Sequence, residues 1–152
     1  MGHGNHPLRI ARKFTRFWQL EGKDKLLLLQ AVGWLAIARG ILVVFSFQSL
    51  SERLADAGRV AGTEPDPEEL RRISYAVSAA ANNVPWRSDC FPQSIAARKL
   101  LQRRGYASII HLGVERVGDA DLAGHAWLTC GDTVVTGGSD LDRYTELHRY
   151  PR

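Results

Sequence analysis

Residues 105–136 read GYASIIHLGVERVGDADLAGHAWLTCGDTVVT, and within them the apolar period becomes two. Ile110, Leu112 and Val114 alternate with His111, Gly113 and Glu115, which predicts a half-buried strand. Gly118 to Gly124 reads as a turn and His125 to Cys130 as a second strand. Gly131-Asp132 is a hairpin corner and Thr133 to Thr136 a third strand. The sheet is therefore antiparallel, because its strands are joined by connections too short for crossover helices.

Upstream of Gly105 the period is helical. Asp66-Pro67-Glu68-Glu69 is a helix start: Asp66 can cap, proline suits the first turn, and Glu69 can return the capping bond. Leu70, Ile73, Val77 and Ala81 form its buried stripe, and Asn82, Asn83 and Pro85 end it. Ser88 or Asp89 can cap a second helix that opens at Cys90, tolerates Pro92 in its first turn and stops at Gly105. Gly58 to Pro67, with two glycines and two prolines, is a linker. Before it, Leu8 to Trp18 is patterned as a short amphipathic helix, Leu26 to Phe47 as a long apolar helix capped by Asp24, and Leu50 to Ala57 as a further short helix. The expected fold class is α+β: residues 8–57 form a helical part and 66–152 carry helix and sheet within one 152-residue domain.

Composition narrows the function classes. With 45% hydrophobic and 24% charged residues the chain can bury a core, so disorder of the whole is excluded. The formal charge of +4 is concentrated before Leu50, where Arg9, Arg12, Lys13, Arg16, Lys23, Lys25 and Arg39 face only Glu21 and Asp24. Such a run suits an acidic peptide, a nucleic acid or a membrane surface, but its commoner origin is a solvated helix face, and no nucleic acid is expected as partner. Two cysteines do not make a disulfide scaffold, and no signal peptide is recognisable, so a reduced cytoplasmic setting is expected. Leu26 to Phe47 is barely long enough to cross a bilayer. Arg39 near its centre would cost about 2.5–3.5 kcal/mol there, and Gly33 and Gly40 weaken the helix, so a buried core helix, or one half covered by a partner protein, is expected instead of a span.

Chemistry centres on Cys90 and His125. A thiolate is favoured at a helix N-terminus beside a histidine that takes the proton, and the N–H groups there also suit an oxyanion. Strand alternation puts His125, Trp127 and Thr129 on one face and Ala126, Leu128 and Cys130 on the other. Thiol and imidazole can meet if the Cys90 helix packs on the face that bears His125. A buried structural cysteine and a core or surface histidine are the alternatives for either residue alone.

Pro85-Trp86, Asp89-Cys90-Phe91-Pro92-Gln93-Ser94-Ile95-Ala96-Ala97, Leu100-Leu101, Gly105, Leu112-Gly113-Val114 and Gly124-His125-Ala126-Trp127-Leu128 together resemble the transglutaminase-like leader peptidases of lasso-peptide biosynthesis, in their stand-alone form. The resemblance covers nearly the whole chain. It implies a papain/transglutaminase-like core in which a helix carrying Cys90 packs on an antiparallel sheet carrying His125, with no cofactor and no metal. It implies a cysteine peptidase that removes the leader segment of a precursor peptide before ring closure. The implied partners are that precursor, a separate leader-binding recognition protein, and the ATP-using cyclase that closes the ring. One departure concerns the third catalytic residue. Family members commonly carry an aspartate on the strand after the histidine, whereas the hairpin here puts Gly137 across from His125. Asp140 is the expected substitute, with Asp132 placed less well in the turn; otherwise a backbone carbonyl or amide holds the ring.

Three competing readings follow from the same residues. A zinc site of Cys90, His111, His125 and Cys130 conflicts with the opposite facing of His125 and Cys130. A catalytically idle, precursor-binding shell is favoured by Gly137 and the apolar N-terminal surface. Acyl transfer to an amine, as in true transglutaminases, uses the same cysteine chemistry with a different acceptor.

Overall fold

A computed structural model describes residues 21–44, 63–118 and 121–150. Helix α1 (Gly22–Val44), α2 (Pro67–Ala81) and α3 (Cys90–Gln102) precede strands β1 (Ile109–Val117), β2 (Asp121–Cys130), β3 (Thr133–Thr136) and β4 (Thr145–Tyr150), with a 3₁₀ turn at Leu141–Arg143. The strands form one antiparallel sheet in the order β3-β2-β1-β4. The α+β class expected from the change of period is what the chain adopts. The predicted helices at Leu8 to Trp18 and Leu50 to Ala57 lie outside the described residues.

The sheet extends further than its apolar pattern indicates. β2 begins at Asp121, so Asp121 to Gly124, expected within the turn, belongs to the strand and pairs with Val114 to Val117. β4 is an unforeseen strand. Its one large aliphatic residue, Leu147, is exposed and falls where the pairing with β1 skips a residue, while Tyr150 alone is buried. A bulge and a polar composition together erase the alternation that a sequence would show.

α2 begins as its sequence dictates: Asp66 caps it and accepts the Glu68 N–H at 3.0 Å, and Pro67 occupies the first turn. The reciprocal bond expected from Glu69 is replaced by ion pairs with Arg104, just past the end of α3, and with Arg72. Asp24 likewise lies inside the first turn of α1 and pairs with Arg72 at 2.6 Å, tying α1 to α2.

Leu27, Ala31, Leu35 and Ala38 are the buried stripe of α1, packed against α2 and α3. They join Leu70, Ile73 and Val77 of α2, Leu100 and Leu101 of α3, and Ile110, Leu128, Cys130, Val135 and Tyr150 of the sheet in one core. Each fully buried leucine or isoleucine contributes roughly 1.5–3 kcal/mol. The other side of α1 exposes Leu26, Leu29, Ile37, Val43 and Val44. α1 is thus long and apolar enough to cross a membrane, yet one of its faces is already committed to protein.

Candidate active site

α3 opens at Cys90, with Asp89 as an N-cap whose side chain makes no capping bond. The Cys90 N–H therefore has no acceptor within its helix. The first turn is braced by side chains: Gln93 Nε2 donates to the Ser88 carbonyl at 2.7 Å, and the Ser94 hydroxyl donates to the Cys90 carbonyl at 3.0 Å. Ser94 is fully buried, and its oxygen lies 3.3 Å from the Thr136 hydroxyl at the end of β3. The helix start that bears Cys90 is thereby fixed to the last residue of β3.

The next residue holds His125. Its Nε2 donates to the Gly137 carbonyl at 2.8 Å. Because a carbonyl only accepts, Nε2 carries a proton, and Nδ1 is the ring nitrogen left outside that bond. Gly137 has φ +71, and a Cβ there would sit 2.4 Å from the Ala126 carbonyl oxygen and 3.0 Å from Trp127 Cα. Glycine is required by this close approach, and the backbone supplies the contact that a side chain would otherwise make.

Asp140, expected to orient the imidazole, does not do so. It is exposed, adopts φ 54 as the cap of the 3₁₀ turn, and accepts the Arg143 N–H through its backbone; no hydrogen bond joins it to His125 among the described residues. The chain turns at Gly137, and it is that turn's carbonyl that reaches the ring. Asp132 is exposed in the hairpin corner beyond Cys130.

The Cys90 helix packs on the sheet that carries His125, as expected, but the condition of a shared face is not met. α3 lies against the face of Leu128 and Cys130, whereas His125 and Trp127 project from the opposite one. Cys90 and His125 are connected around the end of β3, through Ser94, Thr136 and Gly137, and no hydrogen bond joins thiol to imidazole among the described residues. β3 is only four residues long, and among the described residues no strand lies beside the His125 end of β2 on that side.

The residues considered for zinc are not gathered. His111 engages both ring nitrogens at 2.9 Å, Nδ1 with Glu146 and Nε2 with Thr129, and Cys130 is buried on the other face, where burial pushes its thiol pKa up. For Glu146, burial pushes the carboxyl pKa up, but hydrogen bonds with His111 and Arg149 outweigh it and leave the group below its ordinary value.

Ser94, Thr136 and Tyr144, whose ring stacks on His125 at 4.5 Å, are site residues that sequence reasoning missed. Ser94, one turn after Cys90, is a buried polar residue that bonds within its own helix, and only the packed sheet brings the Thr136 hydroxyl to it.

The profile of the Transglutaminase-like superfamily matches residues 33–149. The chain belongs to that superfamily. It includes cysteine peptidases and acyl transferases, and the match takes in the Cys90 helix start, the His125 strand and the second half of α1. No curated protein and no solved structure matches the chain.

Proposed function

We propose that this transglutaminase-like chain is a cysteine peptidase that removes the leader from a lasso-type precursor peptide, with Cys90 as nucleophile and His125 as general base and then acid. The observation that carries the reading is the Nε2–H bond to Gly137, because it leaves Nδ1 free to take a thiol proton. Nδ1 accepts the Cys90 proton, and the thiolate attacks the scissile carbonyl. Donors at the start of α3 stabilise the oxyanion. His125 then returns the proton to the leaving amine, giving a thioester; water, activated by the same Nδ1, releases the leader as a carboxylate and restores the thiol. Substrate binding brings thiol and imidazole into contact, as catalytic hydrogen bonds commonly tighten only in the loaded enzyme. The freed amine is the group that a cyclase would join to a side-chain carboxylate.

The same proposal gives the enzyme three protein partners: the precursor, a separate leader-binding recognition protein, and the cyclase. It also places the enzyme in the cytoplasm without a spanning segment. Arg39 is exposed on α1, where hydrocarbon would be costly but water or a partner carboxylate is not. Extraction of the membrane fraction with alkaline carbonate should leave the protein in the soluble fraction; retention in the pellet would refute that placement.

A second reading, an idle precursor-binding shell, is favoured by the lack of a Cys90–His125 hydrogen bond among the described residues. Mass spectrometry of a precursor incubated with the protein and a recognition protein separates the readings. A peptide shortened by its leader supports the peptidase, an unchanged peptide supports the shell, and a cross-linked peptide supports acyl transfer to an amine.

A further inference from the structure

Four rings follow one another on the sheet face that bears His125. His111 and Trp127 stack with centroids 5.2 Å apart and planes 4° from parallel. Trp127 and His125 are 6.2 Å apart at 21°, and His125 and Tyr144 are 4.5 Å apart at 24°. The far end is anchored, since both nitrogens of His111 are bonded. Trp127 lies over Gly113, where a Cβ would come within 2.9 Å of its ring, so only glycine leaves room for it. The near end is anchored too. Tyr144 follows the 3₁₀ turn with its N–H on the Leu141 carbonyl at 3.0 Å, and the preceding Arg143 pairs with Glu115 of β1 at 2.6 Å.

The Gly137 carbonyl alone does not fix an imidazole. One hydrogen bond sets the position of Nε2 but leaves the ring free to rotate about the N···O axis, which would swing Nδ1 away from a thiol. A flat ring packed against the imidazole face removes that freedom. We propose that Tyr144 is a positioning residue for His125: with the Gly137 carbonyl, it sets the ring plane and the direction of Nδ1 in place of an orienting carboxylate. The inference deepens the peptidase reading and rests on it for its kinetic consequence, though not for its effect on the ring.

The test uses the full chain as Tyr144→Phe and Tyr144→Leu, with two readouts. In leader cleavage, Tyr144→Phe should match the parent, because the stacked face is kept and only the hydroxyl is lost. Tyr144→Leu should lower kcat by about 2- to 12-fold, the range that an aromatic pair is worth, with KM unchanged. In nitrogen-detected NMR at neutral pH, His125 should be the Nε2–H tautomer in the parent and in Tyr144→Phe, and a mixture of tautomers in Tyr144→Leu. Should Tyr144→Leu not fold, Tyr144→Met carries the same two readouts. Full kcat and an unchanged tautomer in the aliphatic variant would overturn the proposal, as would equal losses in the phenylalanine variant. If the parent cleaves no precursor, the peptidase reading fails, and the tautomer readout still decides whether Tyr144 positions the ring.

Discussion

Placing an aspartate at position 137, where the resemblance to leader peptidases implies an acid, should damage this protein instead of improving it. Two costs arise at the backbone before the carboxylate can act. Gly137 sits at φ +71, a conformation that costs a residue with a Cβ about 1–2 kcal/mol. Its Cβ would also stand 2.4 Å from the Ala126 carbonyl oxygen and 3.0 Å from Trp127 Cα, both backbone atoms of a central strand that cannot step aside. Overpacking of this kind adds about 1–3 kcal/mol. A total near 3 kcal/mol corresponds to a melting point lower by on the order of 10 °C in a chain of this size. Any shift that relieves the clash also moves the Gly137 carbonyl from His125 Nε2, so cleavage should fall along with stability. The assay is thermal unfolding with precursor cleavage for Gly137→Asp and Gly137→Ala. Equal melting-point losses in the two variants would identify the Cβ as the cause. A Gly137→Asp protein that melts with the parent and cleaves faster would refute the reasoning, because the loop would then have room for a carboxylate.

Cys90→Ala should abolish leader removal while Cys130→Ser keeps most of it, and comparable cleavage by Cys90→Ala would end the nucleophile assignment. Iodoacetamide should label half-buried Cys90 faster than Cys130, which is buried in the core with its pKa raised, and His125→Ala should slow the Cys90 reaction; mass spectrometry of the two tryptic peptides reads both rates. On α1, Leu35→Ala should cost about 2–5 kcal/mol in denaturant unfolding and Leu29→Lys under about 0.5, since the first is fully buried and the second exposed; similar losses would place both faces of the helix in a core. Glu146 has a lowered folded pKa, so its contribution is present above its ordinary value of 4.5 and lost as pH falls through the lower folded value. The stability gap between the parent and Glu146→Gln should therefore be full at neutral pH and close well below pH 4.5, and an unchanged gap in acid would show that the His111 bond does not favour the charged form.

Local signals carried most of the fold because the elements that form the core announce themselves. The cap and proline at Asp66-Pro67 place α2 to the residue, and the alternation Ile110, Leu112, Val114 places β1. β4 was hidden because an edge strand with a skipped residue needs only Tyr150 in the core. The sequence singled out Cys90 and His125 by their settings at a helix start and on a strand, but not what holds them. Facing a sheet residue inward or outward follows from alternation, but which face a helix covers is a property of the whole core, and the apolar set Leu128 and Cys130 was the available clue that α3 would cover their side. A helix drawn to that apolar face leaves His125 on the other, so the link between thiol and imidazole has to pass around the short end of β3. That route explains the otherwise unrelated demands on three residues: Ser94 and Thr136 must be polar though buried, and Gly137 must lack a side chain so that its carbonyl can reach the imidazole. An orienting carboxylate is one means of holding an imidazole; a turn carbonyl at its edge and a ring against its face meet the same two geometric requirements with neutral groups, and they do so without burying a charge.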